Sequence, residues 1–268
     1  MEPSITNLYR KPLVSIIMPT YNSQTFIEKS IDAIIQQTYL NWELLITDDC
    51  SEDNTFEIIK KYELADERIK VFRLKSNSGA GVARNNSIKH ASGRFIAFCD
   101  SDDRWFQEKL DKQIQFMLEN RMAFSYTNYE IVDDNEKKIG VFISPPKITY
   151  KDMLKQDKIG CLTAIYDAEI LGKHFMPPLR KRQDWALWLN ILKKTPFALG
   201  LNETLAIYKK RGDSISSNKF KLVKYIWHVY RYEQKMPLFL ALYHLIMYPF
   251  YYFKKIILNI DKSKSVII

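Results

Sequence analysis

The sequence predicts an α/β fold with a mainly parallel central sheet and helices on both faces. Three observations predict it. Short β-branched apolar runs alternate with segments of helical periodicity over the first ~130 residues. The strongest of these runs are apolar without a break, as strands covered on both faces are. Acidic clusters stand where two of the runs end, at the carboxyl edge where parallel sheets bind their ligands.

The elements follow in order. Val14 to Met18 is a buried strand closed by Pro19. Ile27, Ile31, Ile34 and Ile35 recur at helical spacing, giving an amphipathic helix that ends near Gln37. Trp42 to Thr47 is a second strand, and Asp53 is the expected N-cap of a helix carrying Phe56, Ile59 and Tyr62. Ile69 to Leu74 is a third strand, followed by a Gly-containing loop from Asn77 to Gly81 and a helix to about Ser92. Arg94 to Cys99 is a fourth strand, and Leu110, Ile114, Met117 and Leu118 mark the next helix. Ala123 to Val132 reads as a further strand. Beyond it the pattern is less regular: a strand over Gly160–Tyr166, a helix over Asp184–Lys193 and a strand over Thr204–Lys209.

Composition narrows the class. A chain of 268 residues with 46% hydrophobic and 26% charged residues holds one large domain, with room for an appended piece. The three cysteines, Cys50, Cys99 and Cys161, are far apart and form no C-x-x-C, which argues against a disulfide framework or a zinc site and for reduced thiols. No signal peptide is evident in residues 1–12. The net charge of +9 is concentrated: from Leu205 onward twelve Lys/Arg stand against three Asp/Glu. A basic tail on a neutral body points to a polyanionic partner, nucleic acid or an anionic membrane.

The strand ends carry the chemistry. The first gives Pro19-Thr20-Tyr21-Asn22, the second Asp48-Asp49, the fourth Asp100-Ser101-Asp102-Asp103. Carboxylates gathered at one edge repel unless something neutralises them. A hard divalent cation does so, and Mg²⁺ or Mn²⁺ completes its shell from phosphate oxygens, which points to a phosphate-bearing substrate. The plainer reading is that such aspartates are turn formers and helix caps. Gly79-x-Gly81 is not a dinucleotide fingerprint, since Arg84 stands at the third glycine position and the loop follows the third strand; no P-loop is present.

Taken together, Pro19-Thr20-Tyr21-Asn22, Asp48-Asp49-Cys50-Ser51-Glu52-Asp53, the run Asn77 to Asn85 and Asp100-Ser101-Asp102-Asp103 resemble family 2 of the inverting glycosyltransferases. Order and spacing agree over residues 13–104 and more weakly to about 217. Within the family the chain is similar to enzymes of cell-envelope polysaccharide assembly, such as teichuronic-acid-type transferases. The resemblance implies a GT-A fold, a nucleotide-diphospho-sugar donor, a saccharide or lipid-linked acceptor, and Mg²⁺ or Mn²⁺ as cofactor. It implies a donor site of Pro19, Thr20, Tyr21, Asp48, Asp49, Gly79, Arg84, Asp100 and Ser101. Thr20 and Tyr21 border the nucleobase, and the Asp48-Asp49 pair, Asp49 in particular, accepts a hydrogen bond from the base N–H, a task suited to an acceptor-only group. Arg84 lies near the nucleotide, Asp102 is a metal ligand, and Asp100 serves the ribose or the metal.

Asp184, in Gln183-Asp184-Trp185, is implied as the catalytic base that deprotonates the acceptor hydroxyl; the lesser alternative from its residues alone is a helix N-cap in a basic neighbourhood. Three departures stand out. Cys50 replaces the usual Gly, Gln183 the usual Glu, and Tyr208-Lys209-Lys210-Arg211 the usual Tyr-Arg-x-His, which removes a histidine metal ligand and leaves Lys209 or Arg211 to touch the diphosphate. No Gln-x-x-Arg-Trp signature occurs, so a single sugar is expected per reaction.

Residues 1–12 read as an N-terminal arm, 13–217 as the catalytic domain, and 218–268 as a basic, aromatic helical extension. Met236 to Phe253 is nearly all apolar, interrupted by His244 and Pro249 and flanked by lysines. Eighteen residues is near the lower limit for spanning, and the proline and aromatics favour lying in the membrane interface at the cytoplasmic side, or packing on the domain, or both. Nucleic acid is disfavoured because the basic residues border an apolar stripe. Two alternatives compete: a nucleotidyltransferase, which lacks its Gly-rich basic loop after the first strand, and a non-catalytic nucleotide-sugar-binding scaffold.

Overall fold

A computed structural model describes residues 11–210 and 219–260. Strands β1 (Val14–Thr20) and β2 (Trp42–Asp48) are buried at every position, including the polar Ser15 and Glu43, which hydrogen-bond to each other. With β3 (Ile69–Arg73) and β4 (Phe95–Phe98) they form a parallel run in the order β3-β2-β1-β4. Helices α1 (Ile27–Ile35) and α2 (Thr55–Ala65) carry the chain outward from β1 to β3, and α3 (Ala80–His90) returns it to the far side of β1. The reversal leaves a topological switch between β1 and β4, the place where open α/β sheets bind ligands.

Side chains alternate across the sheet. Val14, Ile16 and Met18 pack with Ile31, Ile59 and Leu110, on the face of α1, α2 and α4 (Lys109–Glu119). Ile17 and Leu45 pack with Ile88 of α3 and with Trp185 and Trp188 of α7 (Gln183–Ile191), on the opposite face.

Past β4 the sheet becomes mixed, so the mainly parallel expectation holds only for its first half. It continues through β9 (Ile165–Asp167), β6 (Phe124–Val132), β10 (Ala198–Lys209) and the two-residue β5 (Arg104–Trp105). β9 is antiparallel to both β4 and β6, whereas β6 and β10 are parallel. The strand expected over 160–166 is shorter: Cys161–Thr163 is a 3₁₀ turn, closed by Thr163 N–H donating to Gly160 O (2.9 Å), and pairing starts at Ile165. β10 starts six residues earlier than Thr204 and is bulged between Leu201 and Ala206. The sequence reading had no β7 (Lys138–Phe142) or β8 (Lys147–Ile148). The turn before β7 is closed by Asp133, whose Oδ1 accepts from the N–H of Asn135 and of Lys137, both at 2.9 Å. Asp53, the expected cap, stands one place before the observed one, Asn54; its Oδ1 still accepts from Thr55 N–H at 3.0 Å.

The C-terminal elements α8 (Lys219–His228), a π-helical turn (Val229–Glu233) and α9 (Leu238–Ile260) pack beside α5 (Tyr150–Lys155) and α7. Ile226, Val229, Tyr230, Met236 and Ala241 join the core. Tyr230 meets Trp185 edge-on at 5.3 Å and donates to Leu154 O. Tyr150 donates to Gln234 (3.0 Å), and Gln234 to Asn190 (3.1 Å). Among the described residues no helix is long and apolar enough to cross a membrane.

One buried group gives a stability prediction. Lys109 is fully buried, donates to Gln113 Oε1 (2.6 Å) and lies over the Trp105 ring at 4.5 Å. Burial brings its ammonium down to about 7, against a smaller upward pull from Cys99. The unfolded lysine keeps its proton up to pH ~10.5, so the folding penalty is complete below pH 7 and fades as pH rises from 7 towards 10.5. Lys109→Met is therefore expected to stabilise the fold by about 1–3 kcal/mol at pH 6.5, after the cost of an unpaired Gln113 oxygen. The gain disappears or reverses by about pH 10. Denaturant unfolding at the two pH values checks the sign change.

Candidate donor and acceptor site

The adjacent Asp48 and Asp49 have different surroundings. Asp48 shares the strand phase of Leu44 and Ile46, so its carboxylate turns toward the α1–α2 face. It is fully buried there, accepts from Ser51 N–H (3.1 Å) and the Ser51 hydroxyl, and pairs with Arg73 (3.3 Å). It stands at the strand end, but its carboxylate is already engaged by Ser51 and Arg73. Asp49 lies past the strand end and faces the α3 loop. Its Oδ1 accepts from Ser78 N–H and its Oδ2 from Gly79 N–H, both at 2.7 Å. Each oxygen retains a second lone pair for a ligand.

Thr20 follows the phase of Met18, and its buried hydroxyl has no protein partner. Pro19 falls on the other face, and Tyr21 stands at the rim, 41% exposed. Asn22, with φ of 47°, donates through its N–H to Ser51 Oγ (3.0 Å) and accepts from Glu52 N–H (2.9 Å), tying the β1 loop to the β2 loop. Cys50 adopts φ of 65°, a left-handed conformation that costs a non-glycine residue roughly 1 kcal/mol and accounts for glycine being usual there.

Across the switch, α3 presents Arg84 to Asp100. The guanidinium Nη2 donates to Oδ1 (2.7 Å) and Oδ2 (2.6 Å), and Nε approaches Oδ1 at 3.3 Å. Burial opposes the charge on Arg84, but Asp100 more than offsets it and raises the guanidinium above its ordinary range, with smaller upward pulls from Cys161 and Asp184. Ser101 is fastened to α1: its Oγ shares a hydrogen bond with Ser23 Oγ (2.9 Å), and its carbonyl accepts from Ser30 Oγ (2.8 Å). Asp103 is buried, and burial and then the charges of Asp102 and Asp100 push its carboxyl well up. Asp102 remains half-buried beside them.

Helix α7 brings Asp184 into the same neighbourhood. Its N-cap is Arg182, in a left-handed conformation with φ of 65°, so Asp184 sits in the first helical turn and is not the cap. Trp185 N–H donates to Asp184 Oδ1 (2.9 Å). Gln183 is buried against Gly81, with its Oε1 unpartnered. Lys209 faces away from this group: its amino group lies 3.7 Å from Glu136 and its backbone N–H donates to Asp103 (3.3 Å). Arg211 lies outside the described residues.

Three contributors were missed. Cys161 sits close enough for Arg84, Asp100 and Asp184 to act on its thiol, which burial pushes well up. Asn85 donates to Met176 O (2.8 Å) and accepts from Met176 N–H (2.7 Å). Arg180 donates to Asn77 Oδ1 (2.7 Å) and Asn77 O (3.3 Å) while lying across Gly79, where a Cβ would fall 3.2 Å from its Cδ. With its φ of 95°, Gly79 is thus required both for backbone shape and for space. Only Asn85 and Asn77 carried a signal, as polar positions of the Asn77–Asn85 run.

Residues 15–170 match the model of glycosyl transferase family 2. The chain is 46% identical over 239 residues, 89% of its length and 95% of the relative's, to a Bacillus subtilis (strain 168) protein named, provisionally, teichuronic acid biosynthesis glycosyltransferase TuaG. It is 45% identical over 238 residues, 88% of this chain and 92% of the other, to the Escherichia coli UDP-Glc:alpha-D-GlcNAc-diphosphoundecaprenol beta-1,3-glucosyltransferase WfgD. Among solved structures, S. aureus TarS 1-349 in complex with UDP-GlcNAc superposes with a TM-score of 0.69 at 23% identity over 90% of this chain and 72% of that one, a likeness of fold. The same enzyme in complex with UDP aligns over 81% of this chain and 64% of that one.

Proposed function

The chain belongs to glycosyl transferase family 2, and from that membership we propose that it transfers one sugar from a UDP-sugar to a hydroxyl of a lipid-linked saccharide, with inversion, in cell-envelope polysaccharide assembly. The observation that carries the reading is the hold of one buried guanidinium, Arg84, on both carboxylate oxygens of Asp100 at the sheet's switch point, with Asp184 near enough to act on it more weakly. The 45% identical relative is named as a glucosyltransferase using UDP-Glc and a diphosphoundecaprenol acceptor, which supports both the donor base and the lipid-linked acceptor. Residues 13–217 would be the catalytic unit and 218–268 its extension.

In this reading Asp49 orders the Ser78–Gly79 loop and accepts from the base N–H, while Tyr21 lines the rim. Arg84 fixes the Asp100 carboxylate for the donor. Asp184 takes the proton of the acceptor hydroxyl as its oxygen attacks the anomeric carbon, so that one displacement inverts the configuration. Asp102 and Asp100 offer hard oxygen ligands suited to Mg²⁺ or Mn²⁺. Mg²⁺ and Mn²⁺ ordinarily take one or two carboxylates and draw the rest of their shell from phosphate oxygens and water. Once bound, such an ion would stabilise charge on the departing diphosphate.

The test is a panel of UDP-, GDP- and dTDP-sugars with Mn²⁺ or Mg²⁺, scoring nucleoside-diphosphate release. One donor is expected to be hydrolysed slowly, with release lost in EDTA and in Asp102→Ala. Release from no donor, with no thermal stabilisation by any nucleotide plus metal, would remove the donor site.

The extension suits the cytoplasmic face of an anionic membrane. Leu238, Phe239, Leu242, Tyr243, Ile246 and Phe250 form one exposed face of α9, beside the exposed Lys224 and Lys235. A helix that packs one side on the domain and leaves so apolar a side outward fits shallow insertion among headgroups, with each nearby lysine adding ~1 kcal/mol at an anionic surface. Phe239→Ser with Ile246→Ser is expected to weaken binding to phosphatidylglycerol vesicles at least about tenfold, since two large apolar groups are withdrawn from the interface. Nucleotide release in solution should be unchanged. Equal sedimentation of both proteins with vesicles would contradict this role for α9.

A further inference from the structure

We propose that Arg180 is a positioning residue for the transfer step, locking the donor-side loop Asn77–Gly79 to the segment that carries Asp184; the inference rests on reading Asp184 as the base. Between α6 (Ala168–Leu171) and α7 the chain runs eleven residues without helix or strand, from Gly172 to Arg182. Few backbone hydrogen bonds fix it. Instead it lies along α3, held rung by rung. Lys173 donates to Lys89 O at 3.0 Å, and Asn85 grips both backbone groups of Met176. Farther along, Pro177 O and the Gln183 side chain close on Gly81, at 3.4 Å from where a Cβ would stand. The last rung is Arg180 on Asn77.

That last rung differs in kind from the others. Asp49 holds the Ser78 and Gly79 amides from one side, and Arg180 covers Gly79 from the other. The loop is therefore gripped between the carboxylate assigned to the nucleobase and a guanidinium four residues before the base. A donor that orders this loop thereby sets the start of α7. Arg182, left-handed and paired with Asp157 at 3.5 Å, forms the joint between the strap and the helix.

Arg180 is an exposed side chain, so its hydrogen bonds add little to global stability. A displacement of about 1 Å at a reacting group, however, costs on the order of 10²-fold in rate. Rate and stability should therefore separate. In Arg180→Ala, turnover with the donor identified by the panel is expected to fall about 10–100-fold. UDP affinity in Mn²⁺, by titration calorimetry, should stay within about threefold and the melting temperature within about 2 °C, as suits an exposed contact. Arg180→Lys, which reaches one Asn77 oxygen but not both, should recover part of the rate. Asn77→Ala should reproduce the loss, and the double variant should be no slower than the slower single one.

Three results would overturn the proposal. One is unchanged turnover in Arg180→Ala. Another is a loss of UDP affinity matching the loss of turnover, which would make Arg180 a nucleotide ligand. The third is multiplying losses in the double variant, which would make the two residues independent. Inactivity of the unaltered enzyme with every donor is a separate outcome: it removes the functional reading on which the proposal rests.

Discussion

Asp184→Asn is expected to lower sugar transfer by about 10²–10⁴-fold while leaving nucleotide affinity within a few-fold. The substitution preserves shape, and the hydrogen bond that Asp184 Oδ1 accepts from Trp185 N–H (2.9 Å) survives through the amide oxygen. What is lost is the group able to take the acceptor proton. Fold and donor site should persist, because the helix around the position is set by buried Trp185, Leu187 and Trp188. Asp184 acts on Arg84 only as a weaker partner than Asp100. Single-turnover transfer alongside UDP titration separates the two effects. A parallel loss of affinity and rate would show that Asp184 serves the donor.

The second large effect falls on stability. Arg84→Met leaves Asp100 without its guanidinium partner and Met176 Sδ without the Nη1 contact at 3.9 Å. Arg84 is 5% exposed, so its removal strands a carboxylate at a largely buried site. Breaking one side of such a pair costs roughly 3–5 kcal/mol. Asp100 keeps 28% side-chain exposure, which places the expected loss near the lower end, about 3 kcal/mol. Adding Asp100→Asn should return most of the stability, because the uncompensated charge is gone, but none of the activity. Urea unfolding of the single and double variants, with nucleotide release assayed in parallel, tests both halves. Arg84→Lys should stay impaired, since an ammonium cannot reproduce the fork on both carboxylate oxygens.

Much of this was legible in the residues. β1, β2 and β4 are short, mostly apolar runs where strands were expected, and aspartates stand at the ends of β2 and β4. Adjacency concealed what alternation reveals. Asp48 and Asp49 look like a pair, but one is the last residue of a strand whose phase faces α1 and α2, and the other lies past that strand's end. Local pattern placed a strand over Gly160–Tyr166 but could not show that pairing begins only at Ile165, in antiparallel fashion, after a 3₁₀ turn. Nor could local patterns give the strap, because its partners are distant in the chain: Arg180 is 103 residues from Asn77, and Met176 is 91 from Asn85. The exposed face of α9 was foreshadowed by its apolar run, whereas its buried face became clear only from the Trp185–Tyr248 and Tyr230–His244 contacts.

The central claim is that the edge around β1 and β4 binds a nucleotide sugar through Asp49 and the Asp100–Asp102 pair. Titration of UDP in the presence of Mn²⁺ tests it most directly, comparing the unaltered chain with Asp49→Ala and Asp102→Ala. The account predicts saturable one-site binding, weakened at least about tenfold in each variant, as loss of a charge-assisted contact worth ~1.5–3 kcal/mol requires. UDP binding of equal strength in all three proteins would contradict it.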